Sequence, residues 1–165
     1  MTLLEPAPGA LLECCASRRW AAAVADGAPY DSLEDLLTAS DEVLAGLAEQ
    51  DVDEALSAHP RIGERATAPP GADHAATGRD AAWSRQEQAK VTTTPGARDE
   101  LAEVNAAYEE RFGRVFLVCA TGLSADDILA QARRRLTHDA ETEHAEVIRE
   151  LGRIVRLRLA KLVDE

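Results

Sequence analysis

Hydrophobic residues recur three and four positions apart along most of this chain, the period of helices that bury one face. The spacing predicts a first helix over about 10–24, stopped by Gly27 and Pro29. Ser32 reads as the N-cap of a short helix through Leu37, and Asp41 opens another through Ala48. Asp51 starts a further short helix that must end before Pro60, because the residue preceding a proline is pushed out of the α region. That residue is His59. The stretch 66–79 is rich in Ala, Pro, Gly and Thr and reads as an exposed loop. Helix resumes over 80–91, breaks at 92–95, and continues over 97–112 until Gly113 ends it. The run 115–120 is too short and too apolar for a surface helix, and reads as a buried extended or irregular link closed by Gly122. Ser124 and Asp127 form a capping-box start for a helix to Leu136, and the last helix covers about 139–162. These elements make an all-α fold, a single compact domain of about eight helices with no internal repeat and no glycine-rich phosphate loop.

Composition supports helices. Of 165 residues, 32 are alanine, while Phe, Trp and Tyr number two each, too few for an ordinary β-sandwich or barrel. Acidic residues outnumber basic ones 30 to 18, a formal charge of −12, so no basic surface is available to replace phosphate counterions and nucleic acid is not an expected partner. An anionic ligand therefore needs a local cationic pocket set against an unfavourable overall field. Cys14, Cys15 and Cys119 lack CxxC spacing and read as small core residues in a reducing compartment. No run approaches the roughly 20 apolar residues of a membrane span. Glu5 and Glu13 precede the first base, Arg18, unlike a secretory signal, and the cytosol is the expected location.

Three places carry candidate chemistry. On the last helix Val147, Leu151, Ile154, Val155 and Leu162 form one stripe, and Arg158, four residues after Ile154, falls within it, whereas Arg153 and Arg156 fall on the opposite side. A core-facing arginine must meet an anion, or else lay its aliphatic stem along apolar surface with its head in solvent. His59 sits at a helix end stiffened by Pro60. The negative end of the helix dipole favours its protonated form and suits a proton donor, although an ordinary polar loop residue explains it too. Ser84-Arg85-Gln86-Glu87-Gln88 contains the Ser-x-x-Glu capping signature, and Glu87 and Gln88 are also able to face a pocket and grip a urea-like group. His138, Asp139, Glu141 and His144 have no zinc-ligand spacing, so no metal is expected.

Together these blocks resemble one family. His59-Pro60-Arg61-Ile62-Gly63-Glu64 is the first. Trp83-Ser84-Arg85-Gln86-Glu87-Gln88-Ala89 is the second. The third comprises Asn105-Ala106-Ala107-Tyr108, Arg111-Phe112-Gly113 and Phe116-Leu117-Val118-Cys119-Ala120, followed by Ile128-Leu129 and Leu157-Arg158-Leu159. In this order and separation they resemble 2-oxo-4-hydroxy-4-carboxy-5-ureidoimidazoline (OHCU) decarboxylase, which completes the conversion of urate to allantoin. The resemblance implies an all-helical, cofactor-free homodimer acting on a small-molecule substrate. It implies that His59 is the catalytic histidine with Pro60 in the same pocket, and that Glu87 shares in catalysis. Ser84, Arg85, Gln86, Glu87 and Gln88 would line the substrate site, Phe116, Leu117, Val118, Cys119 and Ala120 would supply wall and backbone groups, and Arg158 would hold the anion. Arg114-Val115 and Ala28-Pro29-Tyr30 depart from the family pattern, away from His59, Glu87 and Arg158.

Such a substrate needs a sink for the electron pair left when CO₂ departs. A ring C=N beside the carboxylate-bearing carbon provides one without any cofactor, so positioning, electrostatics and proton delivery remain for the protein. Two other classes stay open on the residues alone: an all-α dimeric interaction module, and a hydrolase of a related ureido compound with Glu87 as general base. Convergence of His59, Glu87 and Arg158 on one cavity separates enzyme from module.

Overall fold

The structure, a computed structural model, describes residues 2–62, 82–83, 86–87 and 95–164. Within them, seven helices follow in order: α1 Pro8–Cys14, α2 Arg18–Asp26, α3 Leu33–Ala45, α4 Glu49–Leu56, α5 Pro95–Phe112, α6 Ala125–Arg135 and α7 Ala140–Asp164. Among the described residues the only β pairing is an isolated bridge between Leu4 and Tyr30, so the fold is all-α as expected. No helix of the described residues is long and apolar enough to cross a membrane.

Two helix boundaries differ from the periodic reading. The expected single helix over 10–24 is two helices, because Ser17 turns extended and its side chain accepts the Trp20 N–H as the N-cap of α2. Conversely, the two short helices expected around Ser32 and Asp41 are one. Ser32 caps α3 by accepting the Asp35 N–H, but Ser40 lies inside that helix, fully buried, accepting the Trp20 indole N–H at 3.1 Å. The Ser124–Asp127 capping box forms as read, and Gly113 leaves α5 with φ of 72°, the left-handed conformation glycine tolerates. The expected loop over 66–79 and most of the expected helix over 80–91 lie outside the described residues.

Helix α7 is the spine. Its 25 residues span about 37 Å, and Val147, Leu151, Ile154, Val155 and Leu159 bury against α1 and α3 in one apolar cluster that also takes in Trp20, Leu36 and Trp83. A second cluster lies between α5 and α6, built on Leu101, Tyr108, Ile128 and Ala132. Residues 115–120, outside any helix, run between the two. Val115, Leu117 and Cys119 pack on the first cluster, while Phe116, Val118 and Ala120 belong to the second. That alternation is the period-2 signature of extended backbone, and it makes this segment the seam of the molecule.

Candidate functional site

The seam forms one wall of a small hollow. His59, Pro60, Ile62, Glu87, Phe116, Leu117, Val118, Ala120 and Ile154 line it. Each comes from a different structural cause. The turn after α4 carries His59, whose backbone N–H donates to the Leu56 carbonyl. Asn105 of α5 steadies the next residues by donating to the Ile62 carbonyl at 3.0 Å, and Arg61 turns outward to Glu109. Trp83 is buried in the first cluster, and Glu87, four positions on at helical spacing, is buried on the same side.

Arg158 completes the site. It is 1% exposed, as the stripe on α7 requires, and the anion it meets is Glu87. Its Nε donates to Oε1 at 2.9 Å and its Nη2 to Oε2 at 3.2 Å, with Nη1 directed to the Cys14 carbonyl at 3.4 Å. Fork-to-carboxylate pairing of this kind fixes both groups in one plane. The solvated-head alternative for Arg158 is thereby excluded.

His59 corrects an expectation. Its position after a helix was read as favouring the charged form, but burial pushes its pKa down to about 3, with the Arg158 guanidinium adding in the same direction. α4 ends at Leu56, so His59 lies beyond the last turn, where the dipole fades. The imidazole of the ligand-free protein is therefore neutral at pH 7.

The other expected site residues divide. Pro60, Phe116, Leu117, Val118 and Ala120 line the hollow. Gln86 does not: it is exposed, and its Oε1 accepts from Lys161. Cys119 is not among the lining residues; burial raises its thiol pKa and its backbone N–H donates to Glu150. Ser84, Arg85 and Gln88 lie outside the described residues. Periodicity missed the buried carboxylates Glu143, Glu146 and Glu150 on α7, although Glu143 and Glu150 precede Val147 and Ile154 by four residues and so obey the rule that located Arg158.

The hollow encloses about 10 Å³, room for roughly one water molecule. Larger depressions of about 260 and 280 Å³ lie beside α5 and between α3 and α7, but neither His59 nor Glu87 lines them. The smaller space is the candidate site, where a neutral imidazole lies near a buried carboxylate–guanidinium pair.

Comparison with known proteins agrees with the all-α fold. The family model described as OHCU decarboxylase matches residues 5–160. The chain is 32% identical over 152 residues to the uric acid degradation bifunctional protein TTL of Arabidopsis thaliana, covering 92% of this chain and 46% of that protein, so it spans about half the length of that curated relative. It is 29% identical over 147 residues to the 2-oxo-4-hydroxy-4-carboxy-5-ureidoimidazoline decarboxylase of Amia calva, covering 87% of this chain and 79% of that one. A crystal structure of OHCU decarboxylase in the presence of (S)-allantoin superposes with a TM-score of 0.77 at 25% identity, covering 97% of this chain and 100% of the other. With the match running through all of α1 to α6 and most of α7, and the three separated motifs meeting in one fold, the chain belongs to the OHCU decarboxylase family.

Proposed function

We propose that this protein catalyses the cofactor-independent decarboxylation of OHCU to (S)-allantoin in urate degradation. The observation that carries the reading is that His59 and Glu87, from distant stretches, line one hollow, and that Arg158, from a third, pairs with the Glu87 carboxylate there. In the substrate, C4 bears the carboxylate and a hydroxyl, and C5 adjoins it with a C=N bond and the ureido group. When the bond to CO₂ breaks, its electron pair forms C4=C5 and the C=N pair moves to nitrogen, which takes a proton. The hydroxyl then gives up its proton as the C4 carbonyl forms, and C5 is protonated from one face. Atoms and charge balance with one net proton consumed.

The residues divide this work by their environments. Arg158 orients the anionic substrate, which competes with Glu87 for the guanidinium, and Glu87 released from the pair accepts from the ureido N–H groups. The seam of Phe116, Leu117 and Val118 closes one face. Neutral His59 accepts the hydroxyl proton and returns it to C5. An anion beside the imidazole offsets Arg158 and raises its proton affinity, so binding itself prepares the acid. Because the C=N is the electron sink, the reaction asks the protein for positioning and proton transfer rather than for a cofactor.

We further read the chain as one domain acting as a homodimer in the cytosol. The family match over 5–160 supports the first point, and Cys14, Cys15 and Cys119, which form no disulfide, fit a reducing compartment. The test of activity is optical: substrate freshly generated by urate oxidation decays spontaneously to racemic allantoin. A circular dichroism signal of (S)-allantoin that scales with enzyme supports the reading, and a racemate at every enzyme concentration contradicts it.

A further inference from the structure

The seam walls the hollow, yet no helix or sheet ladder holds its backbone. Buried carbonyl and amide groups need partners, and two charged side chains supply them. Arg135, the last residue of α6, is fully buried; its Nη1 donates to the Leu117 carbonyl at 2.6 Å and its guanidinium lies over the Phe116 ring, 4.7 Å from the centroid. Glu143 of α7 holds Arg135 in turn, accepting from its Nε at 2.7 Å and from the Tyr108 hydroxyl at 2.7 Å. Two residues along the seam, the Cys119 N–H donates to Oε2 of buried Glu150 at 3.1 Å. Neither Arg135 nor Glu150 lines the hollow.

Packing alone does not call for such groups. Apolar residues of similar volume often fill a core at no loss of stability compared with buried ion pairs, so stability by itself does not account for charges placed here. Here both contacts fall on the same three residues of backbone. One grips a carbonyl from α6 and the other an amide from α7, which fixes the seam's rotation as well as its height. We infer that Arg135 and Glu150 are positioning residues for the decarboxylation, acting through the seam to hold Phe116, Leu117 and Val118 against the substrate. This inference rests on the decarboxylase reading above.

The test uses the full chain and measures kcat, KM and the handedness of the allantoin formed, with a urea midpoint to report stability. Glu150→Gln keeps an acceptor oxygen for the Cys119 N–H and should hold kcat within about threefold, whereas Glu150→Ala should lose about tenfold or more in kcat with KM within about threefold. Arg135→Lys keeps the charge but loses the fork that reaches Glu143 and Leu117 together, and should follow Glu150→Ala. Tyr108→Phe removes a hydroxyl from the same buried network without touching the seam backbone, and should lower the urea midpoint while kcat stays within about threefold. Folded Glu150→Ala and Arg135→Lys proteins with unchanged kcat and product handedness overturn the inference. Should Arg135→Lys fail to fold, the contrast between Gln and Ala at position 150 decides alone. A parent protein that makes no optically enriched allantoin sinks the decarboxylase reading as well; an active parent with parent-like variants sinks the positioning role only.

Discussion

Arg158 and Glu87 stand 71 positions apart in sequence and are joined in the interior by two hydrogen bonds, at 2.9 and 3.2 Å. Each is the other's buried counter-charge, so neither is independent of its partner in stability. Removing one partner strands a charge in a region of low polarity.

Arg158→Met should therefore destabilise the protein by about 3–5 kcal/mol in urea unfolding, while the double variant Glu87→Gln/Arg158→Met should recover most of that loss. Turnover should be absent in both. A stable single variant, or recovery of activity in the double one, contradicts a pair that serves fold and substrate together.

His59 gives a pH signature. Its folded pKa of about 3 lies below the ordinary value of 6.5, so the unfolded chain takes up a proton first as pH falls. The contribution is fully present above 6.5 and is lost progressively as pH drops from there toward 3. His59→Asn should flatten the fall in urea midpoint between pH 7.5 and 5 and abolish turnover, by about a hundredfold or more. An unchanged pH slope in that variant contradicts the buried neutral imidazole.

Away from the site, Ser40 is the sole described partner of the buried Trp20 indole N–H. Ser40→Ala should cost about 1–3 kcal/mol of stability, the penalty of an orphaned buried donor. Thermal unfolding measures it, and kcat/KM should remain at the parent value.

These tests also mark what the sequence discloses. Arg158 was legible because helical spacing is rigid: a residue four after Ile154 has to face the core. The seam was legible from its length and apolarity, and the Ser124 cap from its capping-box spacing. Ser17 and Ser40 were not, because a serine in a helical pattern caps, bonds an indole or faces solvent according to tertiary neighbours that local periodicity does not contain. His59 was misjudged for the same reason. Its proton affinity follows from burial and from Arg158, which is 99 residues away in the chain, and not from the helix it follows.

The most direct measurement is a crystal structure with (S)-allantoin bound at saturating concentration. Allantoin between the His59 imidazole and the seam, with Arg158 or Glu87 turned from its partner onto the ligand, is the predicted result. Allantoin elsewhere, with the Arg158–Glu87 pair closed and the hollow at His59 unfilled, would contradict the account.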